Sequence, residues 1–170
     1  MLDLVPIYLA QRNAWLDELS ETLADTFAMN VRMRLPRFDP DKSTAMGGDP
    51  RIAYYHSLWK LQKHEALVIE VTPPDCEHWN FQLNNYWMES LDYRYFPIHI
   101  NKHTATYNDD GSVRVIVAHE DPGLPNWLTT TGHAVGTMCW RWIRADEHPT
   151  PKVTLVPFSE LAQWREDPRP

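Results

Sequence analysis

Cysteine is nearly absent from this chain: its 170 residues hold two, Cys76 and Cys139. Two thiols cannot build a disulfide framework, and they lack the CxxC spacing of a metal site. Both read as reduced bystanders. Glycine is scarce too, with six in the chain, which leaves no glycine-rich loop to cradle a phosphate. No nucleotide or other cofactor is assigned. Basic charge is in deficit, the formal net charge being −7. A surface that tracks phosphates needs clustered cations to displace counterions, so nucleic acid and anionic membranes are excluded as partners. No apolar run approaches the roughly 18 residues that span a bilayer, and the N-terminus lacks the basic and apolar stretches of a signal peptide. The expected location is cytoplasmic. There is no internal repeat and no GxSxG nucleophile elbow.

What the chain has in plenty is aromatic surface: eight Trp, seven Tyr and five Phe. Such rings carry large buried areas, often with a polar edge that wants a partner, and they suit a core and an aromatic-walled pocket equally. At this length the chain is of ordinary domain size and can bury about two-thirds of its unfolded surface.

The first stretch has helical periodicity. Trp15, Leu19, Leu23 and Phe27 recur at steps of four, with polar residues on the opposite stripe, and Pro36 forbids continuation. This predicts a helix over 7–31 packed across the rest of the domain. Residues 37–52, "RFDPDKSTAMGGDPRI", are rich in breakers and read as a connection. The expected division is therefore an N-terminal helical arm with linker, 1–48, and a β-domain, 49–170, closed by a short C-terminal helix at "SELAQW".

Beyond Asp49 the period drops to two. "EALVIEV", "HWNFQLN", "GTMCWRWIRA" and "KVTLVPF" read as strands, and the proline in "RYFPIHINK" marks an edge strand or a bulge. "TATYNDDGSVRVIVAH" reads as two β-runs joined at Asp110-Gly111, a dipeptide suited to a tight hairpin. Many short strands with helix confined to the ends predict an antiparallel β-sandwich or a jelly-roll-like domain.

Three constellations carry candidate chemistry. In "HWNFQLNN", Trp79, Phe81 and Leu83 need a core, so His78, Asn80, Gln82 and Asn84 face the other way. Amides and imidazoles suit a ligand-facing wall, although antiparallel sheets often present a plain wet face. On the next strand Val113, Val115 and Val117 share an inward face that ends in His119. A half-buried histidine bonded to a backbone carbonyl is the bland alternative. His119 opens the stretch "AHEDPGLPNWLTTTGH", in which Asp121, Asn126, Trp127 and His133 are carried through a turn stiffened by Pro122 and Pro125. It reads as a rigid rim over a pocket, with Asn126 a structural tie. Third, Arg141 alternates with Trp140 and Trp142 and is either a stacked surface cation or a carboxylate clamp. Glu89 and Asp92, in the aromatic run "YWMESLDYRYF", read as buried acids that pair with an arginine or act as a base. The histidines lack metal-motif spacing, and no metal is assigned.

The segments "PPDCEHWNFQLNNYWMESLDYR" and "YNDDGSVRVIVAHEDPGLPNWLTTTGHAVGTMCWRW" resemble the bacterial family catalogued as domain of unknown function 1214, over about residues 60–156. The resemblance implies a β-rich, jelly-roll-like domain, often at the C-terminal end of a longer chain or beside a second all-β domain. It implies no activity and no catalytic residues.

Two functional expectations follow. One is an acid/base enzyme acting on a carbonyl- or carboxylate-bearing metabolite, with His119 or Glu89 as base and Arg141 on the anion. His78, Asn80, Gln82, Asp121, Trp127 and His133 would then contact the small-molecule ligand. The other is a non-catalytic module that binds a ligand or stabilises a partner chain. The aromatic surface also allows a homo-oligomer.

Overall fold

Residues 34–45 and 47–164 are described by the structure, a computed structural model. The expected helix over 7–31 lies outside them. The described chain is mainly β, arranged as two four-stranded sheets that share one core. The elements in order are α1 (Pro40–Ala45), β1 (Ile52–Lys60), β2 (Glu65–Val71), β3 (Cys76–Asn84) and β4 (His99–Asn101). Then come β5 (Val113–Ala118), β6 (Trp127–Thr129), β7 (Val135–Ala145), β8 (Lys152–Pro157) and a closing 3-10 helix, Phe158–Trp164. Sheet A runs β1-β7-β3-β4 and sheet B runs β6-β5-β2-β8.

Alternation sets which side chains meet. Trp79, Phe81 and Leu83 of β3 and Trp140 and Trp142 of β7 point inward from sheet A, and Leu67, Ile69, Val113, Val115 and Val117 point inward from sheet B. All are buried. Trp79 stacks on Trp140 with centroids 4.9 Å apart, and Trp142 meets both at steeper angles. Fully burying a large apolar side chain contributes about 1.5–3 kcal/mol, so this tryptophan cluster on the inner face of sheet A is a large part of the core. The indole N–H groups of Trp59, Trp79 and Trp142 donate to the Thr137 carbonyl, the Tyr107 hydroxyl and the Pro149 carbonyl.

A second, smaller core lies on the outer face of sheet B. Ala66, Val68, Ile116, Ala118 and Val156 are covered there by Leu161, Phe158 and Trp164 of the 3-10 helix and by Leu124 and Trp127 of the 120–127 loop. Strands β2 and β5 are thus apolar on both faces, which explains their near-continuous hydrophobic sequence.

Several expectations need correction. The stretch 37–52 is more than a connection: it holds α1 and the first residue of β1, and Arg37 bridges Tyr55 on β1. Strand β1 itself went unread. Residues 104–107 do not form a strand. The turn after them does form, with the Gly111 N–H donating to the Asn108 carbonyl at 2.9 Å and Gly111 at φ 77°. Strand β5, however, pairs with β2 and with β6 rather than with a hairpin neighbour. Strand β6 was read as part of a loop, and it runs parallel to β5, the one exception to the expected antiparallel pairing. The edge position expected near Pro97 holds for β4.

Candidate functional site

The outer face of sheet A gathers four of the expected ligand-facing residues. Antiparallel register across β1, β7, β3 and β4 sets Tyr54, Arg141, Asn80 and Asn101 in one row and His56, Cys139, Gln82 and His99 in the next. His78 sits one step further along, level with Ile143. Here Arg141 donates to the Asn80 side-chain oxygen at 2.9 Å and lies 5.8 Å from the centre of the Tyr54 ring. No carboxylate among the described residues pairs with it. Of the two sequence readings of Arg141, the stacked cation is met in part, on a tyrosine instead of a tryptophan. Gln82 donates to the Asn84 side chain at 2.6 Å, and His78 stacks on His103 at 5.5 Å. Burial, with the neighbouring His103 and Lys102, lowers the His78 pKa.

Tyr54, His56 and Asn101 belong to this face and were missed. The signal was present in "IAYYHSLWK", where Tyr54 and His56 alternate with buried Ala53, Tyr55 and Ser57. Burial, and secondarily the Arg141 charge, hold the His56 imidazole down to about 4. Burial pushes the Cys139 thiol beside it up to about 11, which makes it a poor nucleophile at neutral pH.

The stretch 118–133 is differently occupied. His119 is engaged at both ring nitrogens, Nδ1 at 2.7 Å from the Thr130 hydroxyl and Nε2 at 3.2 Å from the Leu61 carbonyl. Asp121 accepts from the Gly123 N–H at 2.7 Å, closing a local turn. Asn126 ties the loop down: its amide donates to the carbonyls of Thr106 and Arg114, and its oxygen accepts from the Thr106 N–H. Trp127 donates to the Ala118 carbonyl at 3.2 Å and packs into the second core. His133 is exposed. The loop is tied down by these bonds, but it lies on the outer face of sheet B, whereas Arg141 stands on the outer face of sheet A.

Glu89 is no buried acid. It is exposed in the turn after β3, where it accepts from the Asn85 side chain at 2.7 Å. Asp92 pairs with Arg94 as expected, at 3.0 Å, but at the surface. The aromatics that suggested burial point outward: Trp87 is 67% exposed and Tyr95 77%, with Tyr86, Tyr93 and Phe96 also uncovered. Among the described residues no three of His, Cys, Asp and Glu gather as metal ligands would. No described helix is long and apolar enough to cross a membrane.

No family model and no curated protein matches the chain. Solved structures similar to the chain include two from bacteria. The VPA0106 protein from Vibrio parahaemolyticus shares 17% identity at a TM-score of 0.52, over 68% of this chain and 34% of its own, a likeness of fold alone. An uncharacterised protein from Burkholderia cenocepacia shares 55% identity at a TM-score of 0.73, over 75% of this chain, and this chain spans only 36% of the Burkholderia chain's length.

Proposed function

We propose that this chain is a non-catalytic β-module that docks onto a companion domain through the aromatic segment 86–96. The exposure of Tyr86, Trp87, Tyr93, Tyr95 and Phe96 carries the reading. At the 150–250 Å² that a whole aromatic side chain offers, five rings exposed by 46–77% present on the order of 600 Å². That is the upper end of the patches monomers tolerate and close to the 800 Å² or so of one side of a stable interface. Two of the segment's charges, Asp92 and Arg94, already pair, so burying them costs little. The occupant is a companion domain because the 55% identical Burkholderia protein carries nearly two-thirds of its length beyond the matched part.

The resemblance to domain of unknown function 1214 supports the same reading, since it implies a domain set at the end of a longer chain or beside a second β-domain. Membership of that family belongs to the proposal, together with a jelly-roll path for the eight strands, the 7–31 helix lying across the domain, and a cytoplasmic location. The acid/base alternative asks His119 for a free imidazole, and both of its ring nitrogens are engaged. Its anion clamp, Arg141, stands on the other sheet.

Hydrogen exchange on two intact proteins tests the docking. In this chain alone, segment 85–96 should exchange fast at every concentration. In the whole Burkholderia protein the aligned segment should be strongly protected. Equal exchange in the two would refute the docking, and protection that grows with this chain's own concentration would replace the companion with a second copy.

A further inference from the structure

We propose that the cavity between the start of β1 and the end of β7 is a binding site for a small organic monocarboxylate, held by Arg37 with its apolar body against Phe38, Pro50 and Ile52. The cavity measures about 340 Å³, within the range used for small ligands. One wall is the 37–43 stretch, and the other is the strand ends that carry Arg51, Ile52, Tyr54 and Arg144. It lies toward the Ile52 end of sheet A, whereas the aromatic segment leaves β3 at Asn84, level with Leu58 near the opposite end. The two sites are therefore independent.

Charge selects the ligand class. Three arginines, Arg37, Arg51 and Arg144, line the cavity with two aspartates, Asp49 and Asp146. Two of the arginines are committed. Arg51 forks onto Asp49 at 2.9 and 2.7 Å, holding that carboxyl down to about 2, and Arg144 pairs with Glu77. Arg37 pairs with no carboxylate among the described residues. Its backbone is nonetheless fixed by the bridge to Tyr55, and its charge reaches His148 on the cavity wall, where with burial it lowers the imidazole pKa. A guanidinium on a fixed backbone, its fork meeting no carboxylate among the described residues, matches the two oxygens of one carboxylate. Asp49 and Asp146 oppose a second negative charge, so a monoanion fits and a phosphate dianion does not. Phe38, Pro50 and Ile52 offer the apolar contact that an inorganic ion cannot use.

The probe is benzoate, titrated into the whole chain and followed by calorimetry and by the His148 ring proton resonances. Saturable one-to-one binding that moves the His148 signals is expected. Arg37→Gln should weaken it at least about tenfold, the loss of a charge-assisted bond, with the melting temperature unchanged. Arg94→Gln, on the aromatic segment, should leave it untouched. If Arg37→Gln fails to fold, Arg37→Lys, which keeps the charge without the fork, should still weaken binding. The proposal is overturned if benzoate does not saturate, if the Arg37 variants bind as the parent does, if neutral benzamide binds as well as benzoate, or if inorganic phosphate binds more tightly.

Discussion

The Thr130 hydroxyl and His119 Nδ1 share a 2.7 Å hydrogen bond, and Thr130 is fully buried. The Leu61 carbonyl can only accept, so Nε2–H donates to it, and the His119 ring stitches β5, the β1–β2 turn and the end of β6 together. Removing the ring leaves a buried hydroxyl without its partner. We expect His119→Ala to cost about 1–3 kcal/mol, seen as a lower denaturation midpoint. An unchanged midpoint would free His119 for the catalytic role that the sequence allowed.

Asn126 combines three side-chain bonds with a left-handed backbone, φ 57°. Asn126→Ala should therefore lose about 1–3 kcal/mol from orphaned groups, plus backbone strain. Asn126→Gly relieves the strain alone and should be the milder variant. Urea melts of both would show it, and equal loss in the two would leave the bonds as the whole effect.

Stability should fall with acid in a defined window. His56 titrates near 4 in the fold against about 6.5 in an unfolded chain. The unfolded state thus takes up the proton first. The His56 contribution is complete above about 6.5 and is lost as pH falls toward 4, by up to about 3 kcal/mol. His78 and His148, also lowered, act in the same direction. Asp49 contributes only below this window, since its carboxyl is held at about 2. Denaturation midpoints at pH 7.5 and 5.0 test this: a drop is expected in the parent and a smaller one in His56→Phe.

Exposed aromatics contribute little to the isolated fold. Trp87→Ser with Tyr95→Ser should shift stability by no more than about 0.5 kcal/mol each. A larger loss by thermal melting would assign these rings to the core and remove the docking surface.

Gly136 lies where three strands close up. A Cβ there would strike the Asn84 carbonyl and come within 2.5 Å of the Trp59 ring. Gly136→Ala should cost about 3 kcal/mol or more, since backbone and a buried indole cannot both yield. A near-normal melting curve would contradict the tight approach of β7 to its neighbours.

Local chemistry was legible in the sequence. Alternation along "HWNFQLN" and "SVRVIVA" assigned the inward faces of β3 and β5 residue by residue, because a strand's period of two is a property of the backbone itself. Two prolines and Gly123 marked a turn, because turn residues act within a few positions, but the Asn126 amide reaches back to Thr106 and Arg114, partners that only the fold supplies. Strand pairing is set elsewhere. Strand β5 joins β2 across more than forty residues and β6 in parallel, choices that depend on which apolar faces bury each other once all strands are present. The same holds for exposure. "NYWMESLDYRYF" has the composition of a core segment, and only the packed pair of sheets shows that its rings are left outside while four tryptophans from β1, β3 and β7 fill the interior. Composition reports how much apolar surface a chain carries, and tertiary packing decides which part of it finds a partner.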